Sequence, residues 1–170
     1  MGDSLITIVA IFLAAILMFV FPLSAISEMN DQETLALVQS YTTDFVNEIR
    51  REGKITQEGY DAYVQRLYAT GNSYDVNFEV QIADSNPGKK TENQYVGDTT
   101  YYGVYTKQIE EELAISNIYR LKEGDHVSVS IKNTNTTISQ MIKDVLYSVT
   151  GDASYVISAE ASGAVVGNSY

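Results

Sequence analysis

His126 is the one histidine in this 170-residue chain, it follows Asp125, and the chain has no cysteine. A catalytic histidine needs a nucleophile within reach and a carboxylate that orients its ring. The alternation of Val127, Val129 and Ile131 puts His126 at the start of a strand, where adjacent side chains point to opposite faces. His126 therefore reads as a surface residue, and Asp125 as no partner to it. One histidine without thiolates makes a poor transition-metal site. The Glu110-Glu111-Glu112 run offers oxygens to a hard cation, but the EF-hand spacing is missing and a solvated acidic face accounts for the run. The chain has no P-loop, no dinucleotide-binding glycine pattern and no G-x-S-x-G elbow. Asn135-Thr136-Thr137 matches the glycan-acceptor pattern and is read as coincidence. These residues predict no catalytic group, no cofactor and no metal: a structural or assembly protein rather than an enzyme.

The chemistry this sequence advertises is apolar. From Leu5 to Leu23 there are 19 residues with one hydroxyl (Thr7), one proline (Pro22) and no charge. As a helix they span roughly 28 Å, about one hydrocarbon thickness. Three readings compete. A cleaved secretory signal calls for basic residues ahead of the apolar run, whereas Gly2, Asp3 and Ser4 precede it here, and the run exceeds the usual signal length. A plain membrane anchor is the second. The third is a helix lodged in the membrane before assembly and in a bundle of like helices afterwards. Its assembly surface would be Leu5, Ile6, Val9, Phe12, Leu13, Ile16, Phe19 and Val20, with Asp3 and Pro22 at its ends. Asp3 either pairs with the terminal amine of a neighbouring subunit, because an unpaired charge in an apolar core is costly, or sits in water at the membrane face. Pro22 removes a backbone donor, so it reads either as a kink that lets subunits pack or as a helix break where the segment leaves lipid. Myristoylation fails, since Ile6 stands where Ser or Thr is required.

The remainder is long enough for one domain. The composition, 45% apolar and 19% charged, predicts that it folds. Net charge is −11, from 22 acidic and 11 basic residues, which excludes a nucleic-acid partner and a polybasic lipid-binding surface. The first basic residues after the apolar run are Arg50 and Arg51, too distant to set orientation by loop charge. With nothing positive to retain it, the acidic head is expected outside and the N-terminus on the cytoplasmic side.

Three parts are expected: a hydrophobic helix over 1–27, its amphipathic continuation over 28–53, and a globular head over 54–170. Leu35, Val38, Phe45 and Ile49 form one helical stripe that Gly53 terminates. Thr56 is a candidate N-cap ahead of a second helix with Tyr60, Tyr63, Val64, Leu67 and Tyr68 on one face, ending at Gly71. Residues 74–82 alternate strictly, as a half-buried strand does. Residues 84–100 read as a polar loop. Residues 101–116 are a helix with Ile109 and Leu113 inward, or part strand. Leu121–Asp125 reads as a turn, His126–Lys132 as a strand, and Thr137-Ile138-Ser139-Gln140 as a capping box. That box opens a helix with Ile138, Met141, Ile142, Val145, Leu146 and Val149 as its apolar stripe, and a last strand covers Tyr155–Val166. The fold class is therefore α+β: a long N-terminal hydrophobic helix and a small head with a three- or four-stranded sheet packed on helices. Tyr60, Tyr63 and Tyr68 suit helix-to-sheet packing, and Tyr95, Tyr101, Tyr102 and Tyr105 an interface.

This order of parts resembles the type IV pilin-like proteins, closest to the Tad-type branch of TadE-like pilins and pseudopilins. The residues that carry the likeness are FVFPLSAISEMNDQETLALVQSYTTDFVNEIRREGKIT, with its Gly53-Lys54-Ile55-Thr56 turn, then LKEGDHVSVSI, and the small-residue YVISAEASGAVV. Proteins of this type carry a basic leader that a peptidase removes, so the resemblance implies either a processed form or a member not processed that way. Many also have glutamate at the fifth mature position, where this chain has Leu5 and the nearest carboxylate is Asp3. The resemblance implies a homopolymer built through the N-terminal helix, with the membrane and the pilus assembly machinery as its other partners. The expected location is the bacterial cytoplasmic membrane and then a cell-surface filament.

Overall fold

A computed structural model describes residues 2–83, 101–147 and 157–167. The expected loop 84–100, Tyr95, Val149 and the start of the last strand at Tyr155 lie outside those residues, as do the side chains of Asp3 and Leu146. In chain order the elements are helix α1 (Gly2–Glu52), strand β1 (Lys54–Thr56), helix α2 (Gln57–Tyr68), strands β2 (Tyr74–Ala83) and β3 (Tyr101–Tyr105), helix α3 (Thr106–Ser116), strands β4 (Ile118–Arg120) and β5 (His126–Asn133), helix α4 (Ile138–Tyr147) and strand β6 (Ser158–Ala164). The class is α+β, a long apolar helix leading into a head of two antiparallel sheets and helices.

α1 is 51 residues long, about 75 Å at the α-helical rise. It runs unbroken through Pro22, so the residue does not end the helix. A proline inside a helix costs one hydrogen bond and crowds the preceding turn, and here the surrounding turns carry the helix across it. Gly53 stops it: with φ of 66° it turns the chain, and its N–H bonds the Ile49 carbonyl at 2.8 Å.

The main sheet has the order β3-β2-β5-β6, all antiparallel. The period of two does what the sequence expected: Tyr74, Phe78, Val80, Val127, Val129 and Ile131 are buried on one face, while Asp75, Asn77, Gln81, His126 and Glu160 lie on the other. The buried face is covered by the upper half of α1 and by α2 and α3, through Val38, Phe45, Val46, Ile49, Tyr63, Leu67, Ile109 and Leu113. Phe45 stacks on Tyr63 with centroids 4.4 Å apart and meets Phe78 edge-on at 6.2 Å. Tyr60 meets Phe78 edge-on at 5.5 Å, the expected helix-to-sheet contact, whereas Tyr68 faces solvent. Residues 101–116 prove to be both strand and helix, with Ile109 and Leu113 inward.

A second, two-stranded sheet is the element that periodicity does not reveal. β1 pairs with β4 through Lys54↔Arg120, Ile55↔Tyr119 and Thr56↔Ile118. The Leu121 N–H donates to the Gly53 carbonyl at 2.8 Å, which ties the end of α1 to the turn after β4. Strands of three residues are too short to register as periodicity.

Both helix caps read from the sequence are present. Thr56 Oγ1 accepts from the Gly59 N–H at 3.1 Å. At α4, Thr137 Oγ1 accepts from the Gln140 N–H at 3.2 Å while Gln140 Oε1 accepts from the Thr137 N–H at 2.7 Å, the reciprocal pair of a capping box. Of the six residues in the apolar stripe expected to bury α4, the four described are not buried. Ile138, Met141 and Val145 are exposed and Ile142 is half-buried, while Thr137, Ser139 and Gln140 are buried. The partner surface explains this: the inner face of the lower half of α1 is polar (Ser27, Asp31, Thr34), and α1 meets α4 through Asp31 and Glu28.

Candidate functional site: the apolar stem and its junction with the head

Of the expected assembly residues, Leu5, Ile6, Val9, Phe12, Leu13, Ile16 and Phe19 are all exposed, from 39% at Ile16 to 72% at Phe19. Pro22 is exposed as well, and Val20 is half-buried. No residue in the most hydrophobic stretch of α1 is buried, so the helix is long and apolar enough to cross a membrane and has no cover from its own head. The side chain of Asp3 is not among those described.

The inner face of α1 begins below the boundary read from the sequence. Val20 and Ser24 are half-buried and Ser27 is buried, so the stem meets its head before residue 28. Two polar contacts fix the junction to α4. Thr137 Oγ1 donates to Asp31 Oδ2 at 2.8 Å, with Asp31 only 4% exposed, and Lys143 Nζ pairs with Glu28 at 3.1 Å. Higher up, Thr42 Oγ1 donates to the Val38 carbonyl at 2.8 Å, which leaves the Tyr63 hydroxyl to donate to Thr42 Oγ1 at 2.9 Å. Burial pushes the Tyr63 hydroxyl up to about 12, and burial with the Glu110 carboxylate does the same to Tyr60.

At the top, Arg50 locks α1 onto β6. Its Nε donates to the Ala164 carbonyl at 2.8 Å, and its own carbonyl accepts from the Val166 and Gly167 N–H groups at 2.9 Å. Ala159, Ala161 and Gly163 are the residues of β6 that face inward. This explains the small-residue pattern of the sequence: α1 lies so close that a Cβ on Gly163 would stand 2.5 Å from Arg50 Nε. Lower on the same edge, Gln39 Nε2 donates to the Glu160 carbonyl at 2.9 Å. Together these bonds cap the β6 edge, a place where another strand would otherwise add. Nothing in the periodicity flagged Arg50 or Asp31 for these roles, because polar residues on an amphipathic helix are assigned to solvent by default.

The residues considered for chemistry are kept apart. His126 is exposed and meets Tyr101 edge-on at 5.8 Å. Asp125 is buried, with Oδ2 accepting from the Lys122 N–H at 2.8 Å and Oδ1 from the Ala83 N–H at 3.3 Å. Its carboxylate clasps the turn and is not free to orient an imidazole. Glu110, Glu111 and Glu112 are exposed on α3, and no group of three metal-binding side chains occurs among the described residues. Asn135 spends its amide on the fold, accepting from the Ser73 N–H at 2.9 Å and donating to Asn72 Oδ1 at 2.8 Å. An open groove of about 460 Å³ between α1 and α2 holds Asp44, Glu48, Glu52 and Glu58 beside Lys54 and Arg66, a mixed-charge surface. Tyr101, Tyr102 and Tyr105 are exposed on β3, the edge strand opposite β6.

The molecule is thus a folded α+β head on a continuous helix able to cross a membrane. Comparison of the chain with protein-family models, with curated proteins and with solved structures finds no match.

Proposed function

We propose that this chain is a pilin-like structural subunit, held in the bacterial cytoplasmic membrane by its stem and then assembled through that stem into a filament outside the cell. The observation that carries the reading is the bare stem: 19 residues, largely apolar, on a helix whose other half is part of the head's core. At ~1.5–3 kcal/mol per buried large apolar side chain, covering the stem yields tens of kcal/mol of gross transfer free energy. Lipid supplies that cover before assembly and sister stems supply it after. Because α1 continues through Pro22, packing of stems also sets the position of every head. The filament serves attachment, adhesion or secretion, with the assembly machinery as a transient partner.

Negative-stain microscopy of material sheared from the surface of cells, with an antibody to the head, tests the reading. Labelled filaments are expected. Detergent-soluble monomers alone would instead make the chain a single-pass anchored component of a secretion apparatus or an anchored binding domain. In the same assay Asp3→Ala is expected to abolish filaments while the head melts normally. Native filament yield from that variant would remove Asp3 from assembly.

A further inference from the structure

α4 is amphipathic in the wrong sense for a helix bathed in water. Its polar residues Ser139 and Gln140 are buried against the head, and Ile138, Met141 and Val145 stand 60%, 51% and 79% exposed. At about 100° per residue these three cluster roughly opposite the side that meets α1, so they point sideways from the stem axis and not along it. The contacts with Glu28 and Asp31 place α4 five and eight residues past Leu23, about 7 and 12 Å up the helix. At that level Ile26 and Met29 of α1 are themselves exposed, on the side of the helix away from Asp31 and α4.

We infer that the outward face of α4 is a seat for the apolar stem of a second copy of this chain. The inference rests on the filament reading. Three observations favour a stem over lipid. The face looks sideways, where a parallel neighbour runs, whereas the bilayer lies below it. α4 has one basic residue, Lys143, and that residue is paired with Glu28, so the helix lacks the cationic rim that holds interfacial helices on lipid. The chain itself supplies an apolar rod that its own head leaves unburied. The seat also dictates a stagger: for residues 5–23 of a neighbour to reach α4, that neighbour must be displaced by roughly 7–39 Å along the stem. Stems level with one another in a bilayer cannot make this contact, and subunits rising along a filament can.

The native chain has no cysteine, so paired cysteines report the contact directly. Val145→Cys is combined in the full-length chain with a second cysteine moved singly through positions 5–23, in filament-forming cells, and cross-linked by mild oxidation. Ladders of covalent multimers are expected at a few stem positions three or four residues apart, and none from Val145→Cys alone. The position that links gives the stagger. Filaments that form normally while no stem position links would overturn the inference and leave the filament reading standing. Dimers from Val145→Cys alone would overturn it in favour of α4-to-α4 contact. A bimane label on Val145→Cys that takes on lipid-like emission in vesicles, with no ladder in filaments, would give the face to the bilayer and overturn it as well. Absence of filaments from the native chain would remove the parent reading, and this one with it. As a second arm, Ile138→Gln/Met141→Gln/Val145→Gln is expected to keep the native melting curve of the head and to lower filament yield at least tenfold. Unchanged yield would refute the seat.

Discussion

Replacing Gly163 by alanine should unfasten the head from α1, and the structure gives the size of the effect. The new methyl would sit 2.5 Å from Arg50 Nε, 2.7 Å from Cζ and 2.8 Å from Cδ. Three obstructing atoms in mid side chain leave Arg50 one way out, which is to swing off β6. Swinging breaks the 2.8 Å bond from Nε to the Ala164 carbonyl and the 3.1 Å bond to Asn47 Oδ1. A hydrogen bond from a charged group is worth about 1.5–3 kcal/mol. An overpacked methyl costs about 1–3 kcal/mol, much of it the same event. Alanine recovers about 0.5–1 kcal/mol by restricting the unfolded chain. The net expectation is a loss of about 2–3 kcal/mol. The assay is urea unfolding of the full-length chain in mild detergent, followed by near-ultraviolet circular dichroism of its 13 tyrosines, with no tryptophan to mask them. The decisive comparison is a double-mutant cycle. With Arg50→Ala already in place the obstacle is gone, and Gly163→Ala should cost less than about 0.5 kcal/mol. A full-sized loss in that background, or none in the native one, would refute the argument.

Three further outcomes are expected. Deleting residues 1–23 leaves a soluble, folded, monomeric head by gel filtration and circular dichroism; deleting 1–31 also removes Glu28 and Asp31, the partners of Lys143 and Thr137, and lowers the melting temperature. Aggregation of the shorter deletion would show that the stem is needed to fold the head. Tyr63, 3% exposed, titrates near 12 in the folded head and near 10 when unfolded. A folded-state value raised in this way leaves stability whole below pH 10 and removes it as pH climbs to 12, by at most about 2–3 kcal/mol. Denaturation midpoints measured between pH 9 and 12 should fall, and Tyr63→Phe should flatten the fall; an identical slope in that variant would contradict the assignment. Asp31→Ala leaves the buried Thr137 O–H without its acceptor, while its oxygen keeps the Gln140 N–H, and is expected to cost about 1–3 kcal/mol in the same urea assay.

Much of the architecture was legible because it is written in periods. Nineteen residues without charge state their own need for cover, whatever the head does. Alternation over 74–82 and 126–132 fixed two central strands and the faces they bury. The caps at Thr56 and Thr137 are local bonds spanning three residues, so spacing alone reveals them. The same locality explains what was hidden. The β1–β4 ribbon joins residues more than 60 positions apart through three residues each. Gly163 is needed because Arg50 arrives from α1, and no pattern within β6 announces an arginine from elsewhere. α4 shows the limit most clearly. Its sequence sets an apolar stripe, but burial depends on the surface it meets, and α1 meets this helix with Glu28 and Asp31. Periodicity determined that a stripe exists, and tertiary packing decided that it faces out, because the direction of a helix face is a property of two surfaces and a sequence segment describes one.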